Sequence, residues 1–174
     1  MSKHIIKVSL DTRSINSAIR LVEQYKRELA EKTELFRKRI ADEIAREAAS
    51  GFTNAVFNDI VHMGYGKPNV TVATKDDGAM SLVIANGKDA VWCEFGAGVY
   101  HNGGVGSSPH PKGAELGFTI GSYGKGYGKG NTWGYYDGES LYLTHGTPAQ
   151  MPMYNAVKTV CGRIEEIARE VFGA

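Results

Sequence analysis

The residues whose side chains could bind a metal or take part in catalysis lie between positions 93 and 145. They are one thiol, one carboxylate and three imidazoles, Cys93, Glu94, His101, His110 and His145. A zinc site needs three or four such ligands at tetrahedral spacing. The residues show no HExxH, HxH or CxxC spacing that would preorganise them. The sequence therefore predicts no metal and no cofactor, and the histidines are interpreted as polar loop residues.

Nucleophilic catalysis by Cys93 is a second hypothesis. A thiol needs a neighbouring base to form the thiolate, whereas Cys93 follows Trp92 in an apolar run that is typical of a small buried side chain. Glu94 interrupts the same run, and a buried carboxylate requires hydrogen-bond donors. We expect the amides of the Gly96–Gly98 turn to supply them. No catalytic residue is predicted, and a small hydrolase or nuclease using the loop His and Cys residues is kept as an alternative.

A run of alternating glycine, lysine and tyrosine occupies positions 124–130, with the sequence GKGYGKG. It lacks the GxxxxGK[ST] spacing of a phosphate-binding loop. Interleaved aromatic and basic side chains also suit single-stranded nucleic acid, through stacking and charge. The formal net charge of +1 provides no general attraction for it. A nucleic-acid-binding module stays an alternative, and an arm that docks on another protein is the preferred interpretation.

Composition indicates a single globular domain. The chain has 174 residues, of which 42% are hydrophobic and 22% charged. A chain of this length and composition can bury a hydrophobic core that is stable without disulfides. There is no run of about 18 apolar residues to span a membrane and no signal-peptide hydrophobic region. We expect the chain to be made and folded in a cytoplasm, with no membrane partner.

A long amphipathic helix is predicted over residues 14–52, with its start capped by Asp11, Thr12 or Ser14. The apolar spacing weakens near Lys32 and Thr33. An unbroken helix of this length would extend roughly 60 Å, more than a small domain is wide. The helix therefore either breaks near Lys32, or projects and finds its apolar partner on another subunit.

The remaining pattern predicts an α+β fold, in which this helix and a C-terminal helix pack on a small antiparallel sheet. Alternation indicates a strand over residues 6–10 and a hairpin whose strands flank the KDDG turn at 75–78. Pro152 is expected to begin the last helix. The predicted core stripes are Ile40, Ile44, Ala48, Val157, Val160, Ile164 and Ile167.

Residues 99–147 are predicted to form an extended arm or loop, because this part of the chain is rich in glycine and shows no helical or strand periodicity. Its aromatic side chains are expected to pack on a neighbouring subunit more than on their own domain. They are Tyr100, Phe118, Tyr123, Tyr127, Trp133, Tyr135, Tyr136 and Tyr142.

The segment Val91–Gly98, with the sequence VWCEFGAG, resembles the "EFG-small residue" signature of the tail-component family of long-tailed phages. Further matching segments are His110-Pro111, the SYGKGYGKG run with Trp133–Tyr136, Thr144–Ala149 and Met151–Ala156. These resemble the variant found in phages and prophages of Gram-positive bacteria. The chain departs from the family where many members carry a TG-x-L segment, since residues 52–56 read FTNAV instead.

The resemblance implies that residues 1–174 form one head–tail joining domain of a siphophage, acting as a structural virion protein and not as an enzyme. Such a neck or tail-completion subunit would form a homo-oligomeric ring at the head–tail junction, assembled in the host cytoplasm. Its partners would be further copies and adjoining head-completion, tail-terminator or tail-tube proteins. Genome DNA would pass through the ring without specific recognition. The signature and interface residues implied are Trp92, Glu94, Phe95, Gly96, Tyr123, Tyr127, Trp133, Tyr135, Tyr136, His145 and Pro148.

Overall fold

The computed structural model describes residues 5–58, 65–96, 108–118, 133–136, 138–144 and 147–173. The elements confirm an α+β fold with a long N-terminal helix, antiparallel strand pairs and C-terminal helices. In chain order they are α1 (Thr12–Asn54), β1 (Phe57–Asn58), β2 (Tyr65–Gly66), β3 (Thr71–Asp76), β4 (Ser81–Asn86), α2 (Ala90–Phe95), β5 (Trp133–Tyr136), β6 (Leu141–Thr144), α3 (Pro152–Gly162) and α4 (Ile164–Phe172).

The first helix, α1, is continuous over 43 residues. Asp11 caps it, because its Oδ1 accepts a hydrogen bond from the Ser14 amide at 2.9 Å. The helix does not break at Lys32 and Thr33. The Thr33 hydroxyl donates to the Leu29 carbonyl at 2.7 Å within the helix. Of the two alternatives for this region, the unbroken, projecting helix is the one observed.

The C-terminal half of α1 faces the core, and Ala41, Ala48 and Phe52 are buried there. Gly51 allows α3 to approach closely, because a Cβ at this position would lie 2.9 Å from Cβ of Pro152. Phe52 forms the centre of the core with Ala55, Ala90 and Cys93. Apart from Phe52 these side chains are small, and the partly buried Val70, Val72, Ala85 and Met153 pack against them.

The hairpin predicted around the KDDG turn is confirmed as β3 and β4, in register from Thr71↔Asn86 to Asp76↔Ser81. The turn is held locally, since Asp77 Oδ1 accepts from the Met80 amide at 2.7 Å. That bond and one from the Ala79 amide hold the pKa of Asp77 below its usual range. Arg37 of α1 contacts Asp76 at 3.0 Å and so connects the hairpin to the helix.

The strand predicted over residues 6–10 is wrong. Residues 5–9 have no regular structure, and Val8 and Leu10 are 53% and 102% exposed. A strand needs a neighbour for its backbone hydrogen bonds and one face to bury. The alternating pattern here meets neither condition within the described chain.

One C-terminal helix was predicted, whereas the structure has two helices, α3 and α4, separated by one residue. α3 ends at Gly162 and α4 begins at Ile164, with Arg163 between them at φ −110° and ψ 8°. Val160 and Ile167 are buried, whereas Val157 and Ile164, at the edge of the same helical stripe, are 43% and 41% exposed. The predicted burial of Val157 and Ile164 is therefore wrong. Two further predicted core residues, Ile40 and Ile44, are half-buried.

Part of the predicted arm belongs to the domain itself. Residues 108–118 form a compact turn closed by the Ser108 amide on the Phe118 carbonyl at 3.1 Å. Phe118 is 8% exposed against its own chain, so its expected packing on a neighbour is wrong. Tyr136 in the β5–β6 hairpin is 74% exposed. Tyr100, Tyr123, Tyr127 and the Lys-Tyr-Gly run at 124–130 lie outside the described residues.

Ile167→Asp is expected to lower the free energy of unfolding by about 3 kcal/mol or more, because it places an unpaired charge at a site that is 1% exposed. Ile164→Asp is the matched control. It should cost less than about 1 kcal/mol, since position 164 is partly exposed and begins α4, where an acidic side chain is favoured. Urea unfolding of both variants measures the difference. Equal losses would contradict the difference in burial between positions 167 and 164.

Candidate functional site

Glu94 of α2 caps the start of α3. Its Oε2 accepts from the Met153 amide at 2.8 Å and its Oε1 from the Tyr154 amide at 2.9 Å. The first amides of a helix have no partner within the helix. Met151, which precedes α3, has no side-chain oxygen to offer them and adopts the left-handed conformation at φ 54°. Glu94 supplies the missing acceptor from another element, where the helix dipole also favours its negative charge.

This arrangement gives Glu94 hydrogen-bond partners that the sequence did not predict. The residue is only 7% exposed, as its apolar neighbours suggested. Two amides that bind it belong to α3, about 60 residues further along the chain, whereas Ala97 and Gly98 of the predicted turn lie outside the described residues. Gly96 instead ends α2, at φ 80°, with its amide on the Trp92 carbonyl at 2.9 Å.

His110 binds the same carboxylate from the 108–118 turn. Its Nε2 lies 3.2 Å from Glu94 Oε1, and both side chains are buried. Nδ1 accepts a hydrogen bond from the Lys112 amide at 3.0 Å, so the proton of the neutral ring is on Nε2 and is donated to Glu94. The interpretation of His110 as a polar loop residue is therefore wrong, whereas His101 and His145 lie outside the described residues.

Aromatic rings close one side of the carboxylate. Phe95 stacks on Phe118 with ring centroids 4.1 Å apart and lies 4.4 Å from the His110 ring. Tyr154 meets His110 edge-on at 5.4 Å. These rings keep water from the hydrogen bonds of Glu94, which strengthens each bond.

Gln150 links α2 to the segment that follows α1. The Cys93 carbonyl accepts from the amides of Gln150 and Met151 at 2.8 and 3.3 Å. The side chain of Gln150 binds both backbone groups of Val56, donating to the carbonyl at 3.1 Å and accepting from the amide at 3.0 Å. We refer to Glu94, Phe95, His110, Phe118 and Gln150 as the Glu94 node.

Cys93 is fully buried, as interpreted from the sequence. Burial raises the pKa of its thiol to about 12, and the carboxylates of Asp89 and Glu94 act in the same direction. A thiol in this environment stays protonated near neutral pH and is a poor nucleophile.

The other residues implied by the resemblance are distributed over several elements. Trp92 and Pro148 are half-buried, Tyr136 is exposed, and Trp133 and Tyr135 pair with Thr144 and Tyr142 in the β5–β6 ladder. The structure brings Glu94 and Phe95 together with His110, Phe118 and Gln150. Glu94 and Phe95 were among the residues predicted from the sequence. His110 was not, although His110-Pro111 is one of the segments that resemble the family.

The Glu94 node is chemically suited to holding elements together. Both oxygens of Glu94 are occupied by backbone amides, and His110 uses both ring nitrogens within the node. No group of three or more His, Cys, Asp or Glu side chains suited to a metal occurs among the residues that the structure describes. Comparison with family models, curated proteins and solved structures found no match to this chain.

Glu94→Ala is expected to lower the free energy of unfolding by about 2–4 kcal/mol, because two buried amides and the His110 N–H lose their acceptor. Glu94→Gln, which keeps one acceptor oxygen, should lose about half as much. Glu115→Ala, at an exposed position of the 108–118 turn, is the control and should stay within about 0.5 kcal/mol of the parent chain. Chemical denaturation measures all three. An unchanged stability of Glu94→Ala would show that the node does not brace the fold.

The two cysteines are expected to differ in reactivity. At pH 8 a thiol with a pKa of about 12 is ionised in only about one molecule in ten thousand. The exposed Cys161 should therefore react with a chromogenic disulfide reagent in the native chain, and Cys93 only after addition of urea. Cys161→Ser is the control, with no rapid reaction expected. Rapid labelling of Cys93 in folded protein would contradict its burial.

Proposed function

We propose that this chain is a structural subunit of a tailed-phage or prophage particle, which assembles with further copies into a ring at the head–tail junction. The resemblance of the Val91–Gly98 segment and of Met151–Ala156 to the tail-component family supports this role. In the structure these two segments contact each other through Glu94 and the first turn of α3. The two segments that carry the resemblance therefore act together in the fold, one supplying the carboxylate and the other the amides that bind it.

The observation that carries the proposal is the exposed apolar surface of the N-terminal half of α1. Ile15, Ile19, Leu21, Val22 and Leu29 are each between 42% and 50% exposed. Contiguous apolar surface of this kind marks a contact with another macromolecule. In a ring, every subunit contacts its neighbours through the same repeated interface, so each copy must present a surface for that contact.

The Glu94 node supports a structural role over a catalytic one. Its carboxylate faces backbone amides and a buried imidazole, which leaves the group engaged in the fold. The thiol beside it has a raised pKa. Among the described helices, none combines the length and the apolar character needed to cross a bilayer. Head-completion, tail-terminator and tail-tube proteins are the proposed neighbours of the ring.

Electron microscopy of the purified full-length chain is expected to show closed rings with a central channel. An antibody raised against the chain should label intact particles of the parent phage at the junction of head and tail, with a major-capsid antibody as the positional control. Rings without label at the junction would place the chain elsewhere in the particle. Particles that carry no label at all would contradict a virion role.

A further inference from the structure

We draw no further inference here: the strongest candidate, the open groove between α1 and α3 that is lined by Glu47, Ser50, Asn54, Asn155 and Thr159, carries nothing, because these polar side chains are half-buried or exposed and nothing in the structure shows what would bind there.

Discussion

The bond between the Glu94 carboxylate and the first amides of α3 is the interaction on which the domain most depends. α2 has six residues and cannot be stable as an isolated helix, and α3 begins at a residue with no capping side chain. Each helix supplies what the other lacks: α3 offers two unpaired donors and α2 an acceptor. Desolvation of a carboxylate is costly, and here the amides, His110 and the aromatic rings offset that cost together. The 108–118 turn is positioned on the same carboxylate by His110.

A polar brace matters here because, among the described residues, the buried cluster beside Glu94 is built mostly from small side chains. Phe52 is surrounded by Ala55, Ala90 and Cys93, which provide little hydrophobic area. Much of the chain's apolar surface lies instead on the N-terminal half of α1, where one chain leaves it exposed. This division suits a protein whose stability is completed by assembly. The Glu94 node maintains the frame, and the long helix presents the surface through which copies are proposed to meet.

The elements that sequence reasoning predicted correctly are those that local interactions determine. Asp11 caps α1 with an amide three residues away, and the β3–β4 turn is held by Asp77 and amides at most three residues further on. The burial of Cys93 and Glu94 also followed from their apolar neighbours. In the strand predicted at 6–10 and in Ile164, a correct local pattern did not translate into tertiary burial. An alternating segment needs a partner strand, and an apolar side chain at the edge of a helical stripe is buried only where a neighbouring element covers it.

The sequence by itself determined the α+β class, the amphipathic pattern of α1, the hairpin and the apolar setting of Cys93 and Glu94. It left open whether α1 would break near Lys32. Only the tertiary structure decided that Glu94 would cap α3, that His110 would be buried against it, and that Phe118 would pack within its own chain. These contacts join residues that chain order separates widely, and their partners are backbone amides. Every residue except proline carries an amide hydrogen, so side-chain identity alone cannot indicate which amides a buried carboxylate will bind.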